Sequence, residues 1–331
     1  MTAVSLKGVS KVFAGDVGVM DMNIDIPDGA FVVLLGPTGA GKTTTLRLIA
    51  GLEEPDAGQI LFDGEDVVRK TPAQRDIAMV FQQYSLYPHL SVRENLEFPL
   101  KSPILKTPAD EIARRVATVA DVLQISHKLD NKATELSGGE MQRVSIGRAL
   151  VRDPLIYLMD EPLSSLDAKL RSDLRIELKR IQQDLGATLL YVTHDQIEAM
   201  TMATHIGVLE KGRIVQFGTP REIYEQPVSE YVATRLGLPR INLLPADVFG
   251  EAPTGAVHIG LRPENIVEQG SIMAQVKRVE HLGDQTRLHL MLEGHPLITL
   301  TDPHTGLSAG DQFAVMPKNP LFFDANGTRL T

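Results

Sequence analysis

The stretch Phe31-Val32-Val33-Leu34-Leu35-Gly36-Pro37-Thr38-Gly39-Ala40-Gly41-Lys42-Thr43-Thr44 decides the fold. Its first five residues form an apolar run rich in β-branched side chains, the pattern of a strand buried on both faces. The octet Gly36 to Thr43 follows without a gap and leads into a helical stretch. This is a full match to the phosphate-binding loop, in the strand-to-helix context that such a loop needs. Its glycines let backbone N–H groups curl around an anion, and the next helix offers the positive end of its dipole. Lys42 adds a point charge between the β and γ phosphates, and the Thr43 hydroxyl is placed for Mg²⁺. A nucleoside triphosphate held by Gly36, Pro37, Thr38, Gly39, Ala40, Gly41, Lys42, Thr43 and Thr44 is therefore the expected ligand.

Working outward, Ala3 to Ile26 alternates apolar and polar residues around Gly15 and Gly18, which reads as a strand pair closed by a turn at Pro27-Asp28-Gly29. Apolar strands are expected at Leu155 to Met159 and Thr188 to Val192, separated by a charged helix around Asp173 to Asp184. Between Pro108 and Val122 the residues Ile112, Val116, Val119 and Leu123 recur at helical spacing, and Ser91 with Glu94 forms a capping-box pattern. Strands alternating with helices imply an α/β domain with a mostly parallel, covered sheet. The pattern changes after about residue 235. Thr219, Pro220 and Glu222 open a helix through Tyr224, and Ser229 caps another expected to end at Gly237. Beyond it, Leu288, Leu290 and Leu292 alternate on one face, and turns fall at Gly283, Gly294, Gly306 and Gly310, the pattern of a small all-β barrel or sandwich.

Composition narrows the function classes. The chain has 331 residues and 36.2 kDa, enough for two domains, and its 43% hydrophobic content argues against disorder. Lys+Arg 33 against Asp+Glu 42 gives a net charge of −9 and a pI near 5.5, which disfavours a nucleic-acid partner. Cysteine is absent, so disulfides, thiolate metal sites and cysteine nucleophiles are excluded. The opening MTAVSLKGVSKVF lacks a long apolar core, and no run of about 18 apolar residues occurs, so neither a signal peptide nor a membrane span is expected.

A triphosphatase also needs a carboxylate for magnesium and a group to handle water. Asp160 and Glu161 end the second apolar strand, at the sheet edge where open α/β folds bind ligands. Asp160 suits Mg²⁺, and Glu161 suits the base or polariser of the attacking water. Before them stands Leu136-Ser137-Gly138-Gly139-Glu140-Met141-Gln142-Arg143, a second anion-binding helix start. One site has no evident need for two such cradles, which points to two protomers head to tail.

These motifs together resemble the ABC-type ATPases, whose signature is LSGGxxxR. The resemblance implies a P-loop ATPase domain over residues 1–235, with a helical subdomain at about 90–152, and a C-terminal OB-like accessory domain over 236–331. It implies that Gln82, in VFQQY, touches Mg²⁺ or water, that His194, in YVTHD, contacts the γ-phosphate and Glu161, and that Phe13 stacks on adenine. Catalysis would thus fall to Glu161, His194, Gln82 and Lys42, and the metal to Thr43, Gln82 and Asp160. Ser137, Gly138, Gly139, Glu140 and Asp167 would act in trans on the partner's nucleotide; in Ser164-Ser165-Leu166-Asp167, Ser165 departs from the more usual Asn. The single nucleotide domain, the apolar loop Tyr84 to Leu90 and Gly260-Leu261-Arg262-Pro263-Glu264 are similar to the carbohydrate-importer ATPases of the maltose and glycerol-phosphate type. Polyamine, iron and sulfate importers share related tails, and a soluble non-transport ATPase is the further alternative. The importer resemblance implies ATP and Mg²⁺, a homodimer or paralogous heterodimer, two transmembrane permeases, an extracytoplasmic solute-binding protein and a peripheral place on the cytoplasmic membrane face. The tail is short for the maltose type, so inhibition by a phosphotransfer-system protein is not expected.

Overall fold

A computed structural model describes residues 2–102, 105, 107–250 and 252–330, and the chain divides into two compact units, Met1–Pro220 and Arg221–Thr331. In the first, β1 (Val4–Phe13) and β2 (Asp16–Ile26) form an antiparallel hairpin. Then come β3 (Phe31–Leu35), α1 (Lys42–Ala50), β4 (Ala57–Phe62), β5 (Glu65–Asp66) and β6 (Ile77–Val80). Three helices follow, α2 (Val92–Glu97), α3 (Ala109–Val122) and α4 (Gly138–Leu150). The unit ends with β7 (Ile156–Asp160), α5 (Ala168–Leu185), β8 (Leu189–Thr193), α6 (Gln196–Met202), β9 (His205–Glu210) and β10 (Arg213–Gly218).

Two sheets result. A four-stranded antiparallel sheet has the order β2-β1-β4-β5, and a six-stranded sheet has the order β10-β9-β3-β8-β7-β6. Strands β9, β3, β8, β7 and β6 run parallel, and β10 closes the edge as a hairpin with β9. Helix α1 lies between the sheets: Leu46, Leu48 and Ile49 join one core with Val4, Leu6 and Ile60 on one side and Val32, Leu34, Ile156 and Leu190 on the other. Every residue of β3, β7 and β8 is buried, as strands covered on both faces require. Two expected strands move by one residue, to Ile156–Asp160 and Leu189–Thr193, so Asp160 is the last residue of β7 and Glu161 the first beyond it. Thr188 falls outside β8, where its hydroxyl accepts the Gly29 N–H at 2.9 Å and donates to Thr2 O at 2.9 Å.

Helix α1 is finished by a buried arginine. Gly51 caps it in the left-handed conformation, φ 75°. Arg75, 2% exposed, donates to Leu48 O and Ile49 O at 2.8 Å and to Val68 O and Lys70 O at 3.0 Å. Among the described residues no carboxylate pairs with it, so the negative helix end and four carbonyls serve as its counter-charge.

The second unit holds α7 (Pro220–Glu225), which opens at the division, α8 (Glu230–Ala233), β11 (Asn242–Pro245), β12 (His258–Leu261), β13 (Ile266–His281) and β14 (Thr286–Leu292). Strands β15 (His295–Thr301), β16 (Gln312–Pro317), β17 (Leu321–Phe323) and β18 (Arg329–Leu330) complete it. Ser229 caps α8 as expected, but the helix ends at Ala233 rather than Gly237. The strands form two four-stranded sheets, β11-β12-β17-β18 and β15-β14-β13-β16, so the unit is all-β apart from its opening helices. Leu288, Leu290 and Leu292 are all buried, as their alternation requires.

The Gly260 to Glu264 motif has a local structural reason. Arg262 is buried and donates to the carbonyls of Tyr224 (2.9 Å), Ala233 (3.0 Å) and Leu236, which closes the ends of both short helices. Its guanidinium carbon lies 3.9 Å from the centre of the Tyr224 ring, and the Tyr224 hydroxyl donates to Glu264 at 2.6 Å. A side chain at Gly260 would meet the Phe323 ring at 2.8 Å.

Candidate nucleotide site

The phosphate-binding loop joins β3 to α1 and is built by close backbone contacts. Gly41, the residue before α1, has φ 99°, and a Cβ there would lie 2.3 Å from Gly18 O of β2 and 3.3 Å from Gly212 Cα of the β9–β10 turn. Gly212 N donates to Ala40 O at 3.1 Å, and Met20 N donates to Gly212 O at 2.9 Å. The loop is thus wedged between both sheets at a point where three glycines meet. A Cβ at Gly36 would meet Leu209 O at 2.8 Å, whereas one at Gly39 would meet nothing within 4 Å, so that side of the loop stays open to a ligand.

Lys42 Nζ donates to Gly36 O at 2.9 Å and Pro37 O at 3.0 Å, and burial holds its pKa below the usual lysine value. The Thr43 hydroxyl donates to Asp160 Oδ1 at 3.0 Å. Burial pushes the Asp160 carboxyl above its ordinary pKa, partly offset by that bond and by the Lys42 charge. An exposed hydroxyl hydrogen-bonded to a buried carboxylate, at a cleft that Gln82 also lines, suits a hard cation that prefers oxygen ligands. Among the described residues no cluster of three His, Asp or Glu side chains could hold a metal alone, so a cation here would complete its shell from phosphate and water.

Glu161 follows β7 with φ 45°, an unusual left-handed conformation for a non-glycine residue, anchored by its N–H on Val192 O at 3.0 Å. Its Oε2 accepts from His194 Nδ1 at 3.0 Å, which fixes the imidazole tautomer at that nitrogen. A cleft of ≈ 440 Å³ is lined by Thr38, Gly39, Lys42, Thr43 and Thr44 from the loop and by Gln82, Glu161, His194 and Gly18 around it. Gly18 is a lining residue that the sequence reading left unassigned; a lone glycine inside an alternating strand is the signal for a close approach there. Phe13, 39% exposed, is not a core residue, and its ring leans over Gly18, where a Cβ would meet it at 2.8 Å. A cavity of ≈ 460 Å³ between α3 and α5 carries aliphatic side chains and ion-paired arginines and none of these groups.

Ser137, Gly138, Gly139, Glu140 and Asp167 do not line this cleft. Ser137 caps α4 in a capping box: Glu140 Oε2 accepts its N–H at 2.8 Å, and its hydroxyl accepts Glu140 N at 3.4 Å. Asp167 caps α5 through Leu170 N at 3.0 Å. The Ser165 hydroxyl donates to Gln142 Oε1 at 3.2 Å, tying this loop to α4. In the loop after Gln82, Arg148 stacks over Tyr87 at 4.7 Å and donates to Ser85 O, and Tyr87 packs on Phe98 at 4.3 Å, beside a groove lined by Ile77, Phe81 and Tyr84.

Comparison with known proteins shows the family. The ABC transporter family model matches residues 19–164, and the TOBE domain model matches residues 259–318. The sn-glycerol-3-phosphate import ATP-binding protein of Brucella abortus is 48% identical over 318 residues, covering 90% of each chain. That of Rhizobium meliloti is 43% identical and covers 100% of both. Among solved structures, a dimeric bacterial ABC transporter cassette superposes with TM-score 0.60 at 32% identity, covering 66% of this chain and 99% of that one. A post-hydrolysis dimer of an ATP-binding cassette, bound to ADP and Pi, matches with TM-score 0.60 at 31% identity. No helix among the described residues is long and apolar enough to cross a membrane. The chain therefore belongs to the ATP-binding subunits of ABC importers, the family whose members hydrolyse ATP to drive solute uptake.

Proposed function

We propose that this chain drives uptake of a sugar or a small phosphorylated polyol of the glycerol-3-phosphate kind, as a head-to-tail dimer on two permease subunits at the cytoplasmic membrane face. The names of relatives that align along essentially the whole chain support the solute class. Residues 1–235 supply the motor and 236–331 an accessory domain. The outside solute-binding protein and the permeases select the solute, and the groove beside Tyr84 receives the permease.

The observation that carries the mechanism is the 3.0 Å Glu161–His194 pair at the mouth of the phosphate cleft. Lys42 and the loop N–H groups of Gly36 to Thr44 hold the β and γ phosphates, and Phe13 stacks on the base. Glu161 accepts a proton from the attacking water, or orients it, and His194 holds the Glu161 carboxylate in place while facing the γ-phosphate. Mg²⁺, when bound, is held by Thr43 and Asp160 with Gln82 beside them, and it neutralises charge on the transferred phosphoryl group. Ser137, Gly138, Gly139, Glu140 and Asp167 complete the partner's site, a reading supported by their absence from the lining of the cleft in their own chain.

The test is ATP-dependent dimerisation, followed by size-exclusion chromatography with light scattering. Glu161→Gln, slow to hydrolyse, accumulates a dimer with ATP, and adding Ser137→Arg returns it to monomer while ATP binding persists. A double variant that still dimerises overturns the in-trans site. Detergent extraction of the tagged chain from its host should also bring down two multi-span permeases; recovery with ribosomes or repair factors would overturn the importer assignment.

A further inference from the structure

His194 is held to Glu161 from behind. Its own side chain is 63% exposed, so packing does not set the ring's direction; the Glu161 bond does, from the position at which the backbone of the β8–α6 turn holds the ring. Both neighbours in that turn are fixed. Thr193 donates its hydroxyl to Glu198 Oε2 at 2.6 Å, and the same hydroxyl accepts the Asp195 N–H at 2.9 Å. Tyr191 OH, fully buried in β8, donates to the same Glu198 oxygen at 2.9 Å. The Asp195 carboxylate in turn caps α6, accepting Ile197 N at 2.7 Å and Glu198 N at 3.4 Å. His194 thus sits in a closed circuit of hydrogen bonds that runs from the strand through a buried carboxylate and back to the helix start.

Glu198 is 3% exposed, and among the described residues no Lys or Arg lies within ion-pair distance of it. A buried carboxylate tolerated on two hydroxyls is a costly way to join a strand to a seven-residue helix if adhesion is all that is required. We propose that Thr193 and Glu198 are positioning residues for ATP hydrolysis, fixing the backbone of His194 so that Nδ1 meets the Glu161 carboxylate. Neither touches the nucleotide; both act through His194. The inference rests on the reading of His194 as the group that orients Glu161.

The test is steady-state Mg-ATPase activity of the full-length chain. Because misplacing a catalytic group by on the order of 1 Å can cost about a hundredfold, Thr193→Val is expected to lower kcat by about tenfold or more. The KM for ATP should stay within about twofold, since the ground-state phosphate contacts are untouched. Thr193→Ser, which keeps the hydroxyl, restores kcat. In a His194→Ala background, adding Thr193→Val changes kcat no further, whereas a generally structural role would add its own loss. A Thr193→Val enzyme with wild-type kcat, a failed serine rescue, or additive losses would each overturn the proposal. Wild-type turnover in His194→Ala alone would instead overturn the underlying role of His194. Should Thr193→Val not fold, Glu198→Asp draws the carboxylate back from both hydroxyls with charge retained and is expected to show the same split between kcat and KM.

Discussion

Replacing Arg75 by methionine removes the guanidinium that closes the C-terminus of α1, the helix that begins at Lys42. Methionine keeps much of the volume, so the loss is mainly one of hydrogen bonds rather than of a cavity. Four carbonyls lose a donor; Leu48 O retains the Gly51 N–H at 3.2 Å, which leaves those of Ile49, Val68 and Lys70. At about 1 kcal/mol or more for each carbonyl left unpaired, with Ile49 O buried and those of Val68 and Lys70 partly so, the cost is ~3 kcal/mol. Loss of a cation from a helix C-terminus adds about 0.3–1 kcal/mol. Removing a charge that burial disfavours offsets part of this, and the net expectation is a loss of about 3 kcal/mol. For a unit of this size that is ~6–12 °C in Tm. Urea denaturation of the full chain without nucleotide, with the first unit's transition followed separately, measures it directly. Arg75→Lys should recover less than half, because one ammonium cannot reach all four acceptors. At a temperature where the variant is folded, its ATP affinity should stay close to wild type. A stability loss below about 1 kcal/mol would refute the assignment of these bonds as a helix closure, since it would fall under the cost of even one orphaned carbonyl.

Glu161→Gln should lower ATP turnover by about 10²-fold or more while ATP still binds, checked by phosphate release and nucleotide titration; equal turnover would remove Glu161 from the water-handling role. Lys42→Ala should weaken ATP binding itself, measured by calorimetry, because it deletes a contact made in the ground state. Asp160→Asn should raise Tm at neutral pH while abolishing Mg-dependent hydrolysis. The sign follows from linkage: burial lifts the folded-state pKa above its ordinary 3.8, so the folded chain binds protons more tightly than the unfolded one. Stability from this group therefore falls as pH rises from 3.8 through the raised value. A lowered Tm in Asp160→Asn would contradict it.

The parallel sheet and its site were largely legible because β3, β7 and β8 are continuous apolar runs, and their ends place Gly36 to Thr43, Asp160 to Glu161 and His194 side by side. Strands β6, β9 and β10 were not legible: Ile77–Val80 has four residues, Gly207 interrupts β9, and β10 is a half-exposed edge. Their place is set by pairing partners distant in sequence, which local periodicity does not carry. The Arg262 motif was legible as a family mark, but its work in closing two helix ends depends on Tyr224, Ala233 and Leu236, which no spacing rule links to it. The glycine contact of Gly18, Gly41 and Gly212 was equally hidden, since each alone reads as an ordinary turn or strand glycine.

That junction constrains how this motor can evolve. Every single-base change to a glycine codon that alters the residue adds at least a Cβ. At Gly41 that carbon would collide with a backbone oxygen, which, unlike a side chain, cannot turn aside. At Gly18 it would press into the Phe13 ring, and at Gly212 it would crowd the β2 backbone at 3.2 Å. These three glycine positions are thus closed to gradual tuning by point mutation. Adaptation of nucleotide preference has to enter through the exposed Phe13 rim, where a side chain can change without moving the backbone beneath it.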